Sequence, residues 1–236
     1  MNKYLAIIIA DLKNTRRDPT LLLMLWVPLL IWVAVRFGIA EIALWVPDLV
    51  AYYPALLAFF SLLIAVFPGF LVSFLLLDEK DKQLFSVVKV TPVSLSGFLL
   101  TRIVFMVVLG FVFSVGLLVF NGLLKLPWHA IAIMSLLSAL QVPIFVLLIS
   151  AVAKNKVEAL TLLKVANVVI FIPAVLFFIS SGWINLLGIF PAFWVYKLAC
   201  IPLESNYLIV AGIGWLWILF LNYLSYRYSV IKLNLL

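Results

Sequence analysis

The chain has 236 residues, of which 67% are hydrophobic and 11% charged, with a net charge of +7. Soluble domains carry about 45–50% apolar and about 25% charged residues, so a water-soluble fold is excluded: these charges could not cover that much apolar surface. The length predicts a single membrane domain over 1–236, and the lone cysteine, Cys200, excludes an intrachain disulfide framework.

Residues 2–17 place Leu5, Ile8, Ile9 and Leu12 at helical spacing, with Lys3, Asp11, Lys13 and Arg17 elsewhere around the wheel. That pattern predicts a helix lying in the membrane interface, its basic residues near lipid headgroups, ended by Pro19. Charges return too soon for a signal peptide. A spanning helix needs about 20 mostly apolar residues. Six stretches qualify, near 20–37, 54–77, 101–121, 129–153, 161–181 and 206–226. The segment 38–53, with Glu41, Trp45, Pro47 and Asp48, reads as a short external connection. The segment 182–205 is apolar but interrupted by Gly182, Gly188, Pro191 and Pro202. It predicts a pair of short helices that dip into the outer leaflet, their broken backbone covered by protein. The expected fold class is an all-α membrane protein: six transmembrane helices, an N-terminal interfacial helix, and broken, re-entrant-like helices before the last span.

Charge placement sets the orientation. With both termini in the cytoplasm, thirteen basic residues fall on the cytoplasmic side, among them Arg16, Arg17, Lys80, Lys82, Lys89, Arg102, Lys154, Lys156 and Arg227. Only Arg36, Lys125 and Lys197 fall outside. The positive-inside bias favours that arrangement, and Trp45, Trp128, Trp183 and Trp194 then form an aromatic belt at the outer boundary. The positive charge is read as topology, not as a nucleic-acid surface.

The nine acidic residues all fall in loops, at span ends or on the interfacial helix. Ion-coupled carriers commonly hold carboxylates within the membrane, so that class is disfavoured. A metal centre would want clustered His, Cys, Asp or Glu, yet His129 is the one histidine and stands at the outer boundary beside Trp128. No Gly-x-x-x-x-Gly-Lys-Ser/Thr loop occurs, so the chain does not cradle ATP phosphates by that route. The expectation is a protein that is not an enzyme and carries no cofactor of its own.

The stretch 78–102 is long for a connection between spans. Leu84, Val87 and Val88 repeat at helical spacing, Phe85 adds apolar surface, and Pro92 breaks the helix after Thr91. A short amphipathic helix is predicted, either resting on the bilayer or presenting an apolar stripe with flanking charges to a cytosolic partner.

Here the sequence resembles the ABC-2 type transporter permeases. The run Glu79-Lys80-Asp81-Lys82-Gln83, followed by an apolar helix and then Thr91-Pro92, is similar to that family's loop between spans. Gln83 stands where the family usually has glycine. The resemblance implies a transmembrane subunit of an ATP-driven exporter in a bacterial or archaeal plasma membrane. It implies a second permease protomer, identical or not, and a separate cytosolic subunit holding ATP and Mg. It assigns ATPase coupling to the loop at 78–100, through Glu79, Lys80, Asp81, Leu84, Phe85, Val88, Thr91 and Pro92, with Lys154–Glu158 as a second contact. It also implies a substrate path between protomers past spans one, two and five, where Phe67, Phe70, Asn167, Phe171 and Phe178 are the candidates. Aromatic faces with a rare polar group suit an amphipathic drug, peptide or lipid-like molecule. The competing reading is a carrier or channel that needs no ATPase.

Overall fold

A computed structural model describes residues 3–82, 94–179, 181–201 and 206–232. The described residues are almost entirely helical, and six helical segments are long and apolar enough to cross a membrane. The chain is a multi-pass membrane protein.

Helix α1 (Lys3–Arg17) precedes the first span, where the sequence predicts a helix. Asp18 then caps α2 (Pro19–Val33), its carboxylate accepting from the Thr20 and Leu21 amides. The first span does not stop where the sequence suggested. It passes through a π-helical segment, Ala34–Ile39, into α3 (Ala40–Trp45), 27 residues in all. The expected connection over 38–53 is thus mostly helix. Residues 38–45 are apolar apart from Glu41, which is compatible with an exposed helix end, and the break comes only at Pro47. A 3-10 turn, Pro47–Tyr52, leads directly into α4 (Tyr53–Asp81).

Helix α4 is the axis of the bundle. It packs against α2, α5 (Leu95–Val119), α6 (Trp128–Ala139), α7 (Val142–Val152), α8 (Lys156–Phe171) and α9 (Phe193–Cys200). Two-thirds of its most apolar window is buried, against about one-sixth for the spans at Pro19–Trp45 and Tyr207–Lys232. Close approach explains part of this. A Cβ on Gly110 of α5 would fall on the Ala65 carbonyl oxygen, and one on Gly69 would meet Val142 at 2.9 Å. Small polar groups add interhelical contacts: Ser61 Oγ lies 3.3 Å from Ser138 Oγ, and Ser114 donates to Ser135 at 3.1 Å.

The fourth span breaks between α6 and α7, because Pro143 in the first turn of α7 cannot continue the hydrogen-bond ladder of α6. The last span, α10 (Tyr207–Lys232), braces this break. Asn222 donates to the Leu140 carbonyl at 2.8 Å, and Ser229 to the Leu147 carbonyl at 3.0 Å. The fifth span, α8, ends in a 3-10 turn, Ile172–Phe177, begun by Pro173.

Between spans five and six lies a hairpin made of a 3-10 segment, Gly182–Ile189, and α9. Trp217 donates its indole N–H to the Ile189 carbonyl at 3.1 Å. Trp217 is ten residues into α10, so the hairpin tip lies about 15 Å along that span, near its middle. The hairpin enters the bundle and turns back. Trp194 ties its two arms together through the Gly188 carbonyl at 3.1 Å.

Candidate functional site: the charged end of the bundle

The first turn of α2, the last turn of α4 and the first turns of α5 and α8 meet at one end of the bundle, with α1 lying across them. Two cations organise this end. Arg102, in the second turn of α5, is 3% exposed. Its guanidinium donates to Asp11 of α1 at 2.6 and 2.7 Å and to Glu79 of α4 at 2.5 and 2.6 Å. The Phe98 ring lies 4.1 Å from its centre. An arginine within a spanning helix is tolerated when it is paired in this way, and the planar fork suits two carboxylates at once.

The second cation is Lys156, the first residue of α8. Its ammonium lies 2.8 Å from Asp78 and 3.3 Å from Asp18. This pair is about one-third exposed, so it is the looser of the two. The loop before it is self-capped. Asn155 accepts from the Glu158 amide at 2.9 Å, and Glu158 accepts from the Lys154 amide at 2.8 Å.

Asp78 and Glu79 are neighbours in sequence, yet each binds a different span. Successive helical residues point about 100° apart, which is the separation needed to reach α8 with one and α5 with the other. Lys80, Asp81 and Lys82 face outward. Of the residues expected to couple to an ATPase, Glu79 is therefore turned inward onto Arg102, and Lys80 and Asp81 are exposed. Leu84, Phe85, Val88, Thr91 and Pro92 lie outside the described residues.

Asp11 lies off the apolar stripe of Leu5, Ile8, Ile9 and Leu12, yet it is only 5% exposed. The reason is that Ile8, Asp11 and Thr15 share one helical stripe, which turns inward because Arg102 waits beneath it. Burial pushes the Asp11 carboxyl above its ordinary value, although Arg102 pulls it down. One guanidinium shared by two carboxylates leaves a net negative group, and Asp11 is the deeper acid. Among the described residues no three His, Cys, Asp or Glu side chains are grouped as metal ligands.

The residues expected along a substrate path separate into two sets. Phe70 is fully buried, its ring edge-on to Phe67 at 5.7 Å and Phe145 at 6.1 Å. Phe171 and Phe178 are 57% and 67% exposed. Phe171 meets Phe59 at 5.6 Å, and Phe178 stacks on Tyr52 at 5.2 Å. Asn167 is half-buried, and its carbonyl oxygen has no hydrogen-bond partner among the described residues. Nearby, a largely apolar cavity of about 370 Å³ lies between α7, α8 and α10, with Ile189 and Pro191 of the hairpin at its wall.

The sequence carried one overlooked signal for the junction. Arg102 lies within an otherwise uncharged span, and a charge there calls for a named partner. Nothing in the sequence singled out Asp11, Asp18 or Asp78 as that partner.

Comparison with known proteins places this arrangement. A family described as fluoroquinolones export permease protein Rv2686c-like matches residues 11–226. Two curated relatives from Mycobacterium tuberculosis, the fluoroquinolones export permease proteins MT2760 (strain CDC 1551 / Oshkosh) and Rv2686c (strain ATCC 25618 / H37Rv), are each 31% identical over 234 residues. Each alignment covers 89% of this chain and 89% of the relative. These matches are consistent with the resemblance to ABC-2 permeases. With its six spans and a match extending from Asp11 of the junction to the last span, the chain belongs to the Rv2686c-like fluoroquinolones export permease family.

Proposed function

We propose that this chain is the membrane subunit of an ABC exporter, driven by ATP that a separate cytosolic subunit hydrolyses. The observation that carries this reading is the end of α4. The central helix of the bundle terminates in Asp78-Glu79, which hold two other spans, and leads straight into the loop resembling an ABC-2 coupling loop. A force on that loop has a direct route to the spans. The chain offers no phosphate-binding loop of its own, so the energy source is external.

In this reading the charged end is cytoplasmic, both termini lie in the cytoplasm, and the membrane is a bacterial or archaeal plasma membrane. Two permease protomers pair, and substrate moves along the exposed aromatic face of Phe171 and Phe178, with Phe67 and Asn167 deeper and Phe70 packed behind them. The relatives are named for fluoroquinolones, which are planar, amphipathic aromatics. That chemistry suits rings presented edge-on and face-on around a rare amide.

The test is co-expression with a neighbouring ATPase gene, followed by purification through a tag on the permease. The ATPase subunit should co-purify, and substrate should stimulate its hydrolysis. Replacing Leu84 and Phe85 with glutamate should release the ATPase or uncouple hydrolysis from transport, while the spans stay folded. A lone permease that transports without any ATPase would favour the carrier reading instead.

A further inference from the structure

The two cations of the charged end differ in a way that assigns them different work. Arg102 is sealed: both carboxylates and the Phe98 ring enclose it, and every contact is at or below 2.7 Å apart from the ring. Lys156 is accessible: its ammonium spans two half-exposed acids, one contact short and one long. Each cation ties the tip of α4 to the α1–α2 corner by a separate route, Arg102 through Glu79 and Asp11, Lys156 through Asp78 and Asp18. They anchor that tip to different spans, α5 and α8.

An ion pair that water can reach contributes little and exchanges readily, whereas a buried one is costly to open. The tip of α4 is therefore held to α5 by a buried tie and to α8 by a water-accessible one. A polar cavity of about 210 Å³ lies beside this junction, with Arg17 at its wall as an alternative cation for Asp18 and Asp78. It gives the acids somewhere to turn if Lys156 leaves.

We propose that Lys156 is a positioning residue for transport coupling: it is the releasable tie through which movement of the α4 tip is passed to α8, while Arg102 is the fixed anchor about which that movement occurs. The inference rests on the proposed ATPase partnership. Lys156 itself faces Asp18 and Asp78 within the permease, so its role is exerted through α4 and α8.

The experiment uses the complete exporter, permease with its ATPase subunit, in proteoliposomes, with a fluoroquinolone as the transported probe. Lys156→Gln removes the charge and leaves a shorter, polar side chain, and Lys156→Arg keeps the charge. Molecules transported per ATP hydrolysed should fall about tenfold in Lys156→Gln and recover to within about twofold in Lys156→Arg. Spin labels at Lys82 and Leu160, both exposed, supply a second readout in a Cys200→Ser background. In the wild type the distance between them should be narrow without nucleotide and shift or broaden on ATP binding, whereas in Lys156→Gln it should be broad in both states. A Lys156→Gln exporter with unchanged coupling ratio and an unchanged distance distribution overturns the proposal. Absence of a co-purifying ATPase in the wild type removes the proposed function itself, a separate outcome that is read before any variant is made.

Discussion

The two ends of this bundle are held by different physics. At the charged end, Arg102 and Lys156 tie together α1, α2, α4, α5 and α8 through four carboxylates. At the hairpin, contacts depend on shape. Trp194 and Trp217 donate to carbonyls freed by broken helices, and a Cβ on Gly214 would meet the Trp194 side chain at 2.8 Å, so the indole lies directly on α10. Charge chooses partners by sign, and fails when one member is removed. Shape chooses by fit, and fails when bulk is added. Under the proposed function, the end that receives force is specified by partner and the other by space.

The largest expected effect breaks the charged end. Arg102→Ala leaves Asp11 and Glu79 buried without a cation and should cost about 3–5 kcal/mol. Thermal unfolding of the detergent-purified protein measures it. Replacing all three residues by leucine or methionine should restore most of the loss, since an apolar substitute for a whole buried ion cluster is often neutral. A loss under about 1 kcal/mol in Arg102→Ala would mean that water reaches the cluster, and the contrast between the ends would collapse.

At the hairpin the effect is smaller. Trp217→Phe keeps the ring but deletes the donor to Ile189, which should cost about 0.5–1.5 kcal/mol. The hairpin should loosen, and thiol reagents should reach the exposed Cys200 or an introduced cysteine at Ile189 faster. Equal labelling rates in both proteins would place the hairpin's hold in Trp194 and packing alone.

The smallest effect sharpens the charged end by pH. Burial pushes the Asp18 carboxyl up, but bonds from the Thr20 and Leu21 amides and from Lys156 outweigh it, so its value lies below the ordinary carboxylate range. A group lowered in the folded state stabilises above its unfolded value, about pH 4, and that contribution is lost as pH falls through the folded value. Between about pH 6 and pH 3, the wild type should therefore lose slightly more of its melting temperature than Asp18→Asn. Identical losses would remove the Asp18 charge, though not its cap, from the account.

Much of this fold was legible because a bilayer imposes strong local rules. Apolar runs of spanning length marked six helices, and Gly182, Gly188 and Pro191 marked the hairpin, without reference to any partner. The errors came where a rule depended on something distant. Residues 38–45 were read as connection from Glu41 and Trp45, but their helix propensity prevailed until Pro47. The helical wheel places Asp11 off the apolar stripe of α1 and gives no sign that it is buried. Its burial depends on Arg102, 91 residues later, which no wheel contains. The aromatic candidates were legible as residue types only. That Phe70 packs inside while Phe171 and Phe178 face outward follows from how α4 and α8 are rotated in the bundle.

The sharing of Arg102 by Asp11 and Glu79 also bears on how the protein is made. Synthesis runs from the N-terminus, so both acids have emerged before the arginine does. When the third span enters the bilayer, its one charged residue meets counter-ions already waiting on α1 and α4. The two earlier helices thus carry the counter-ions that this span needs once it is folded. Without α1 the arginine would keep Glu79 but lose Asp11, half of its neutralising shell.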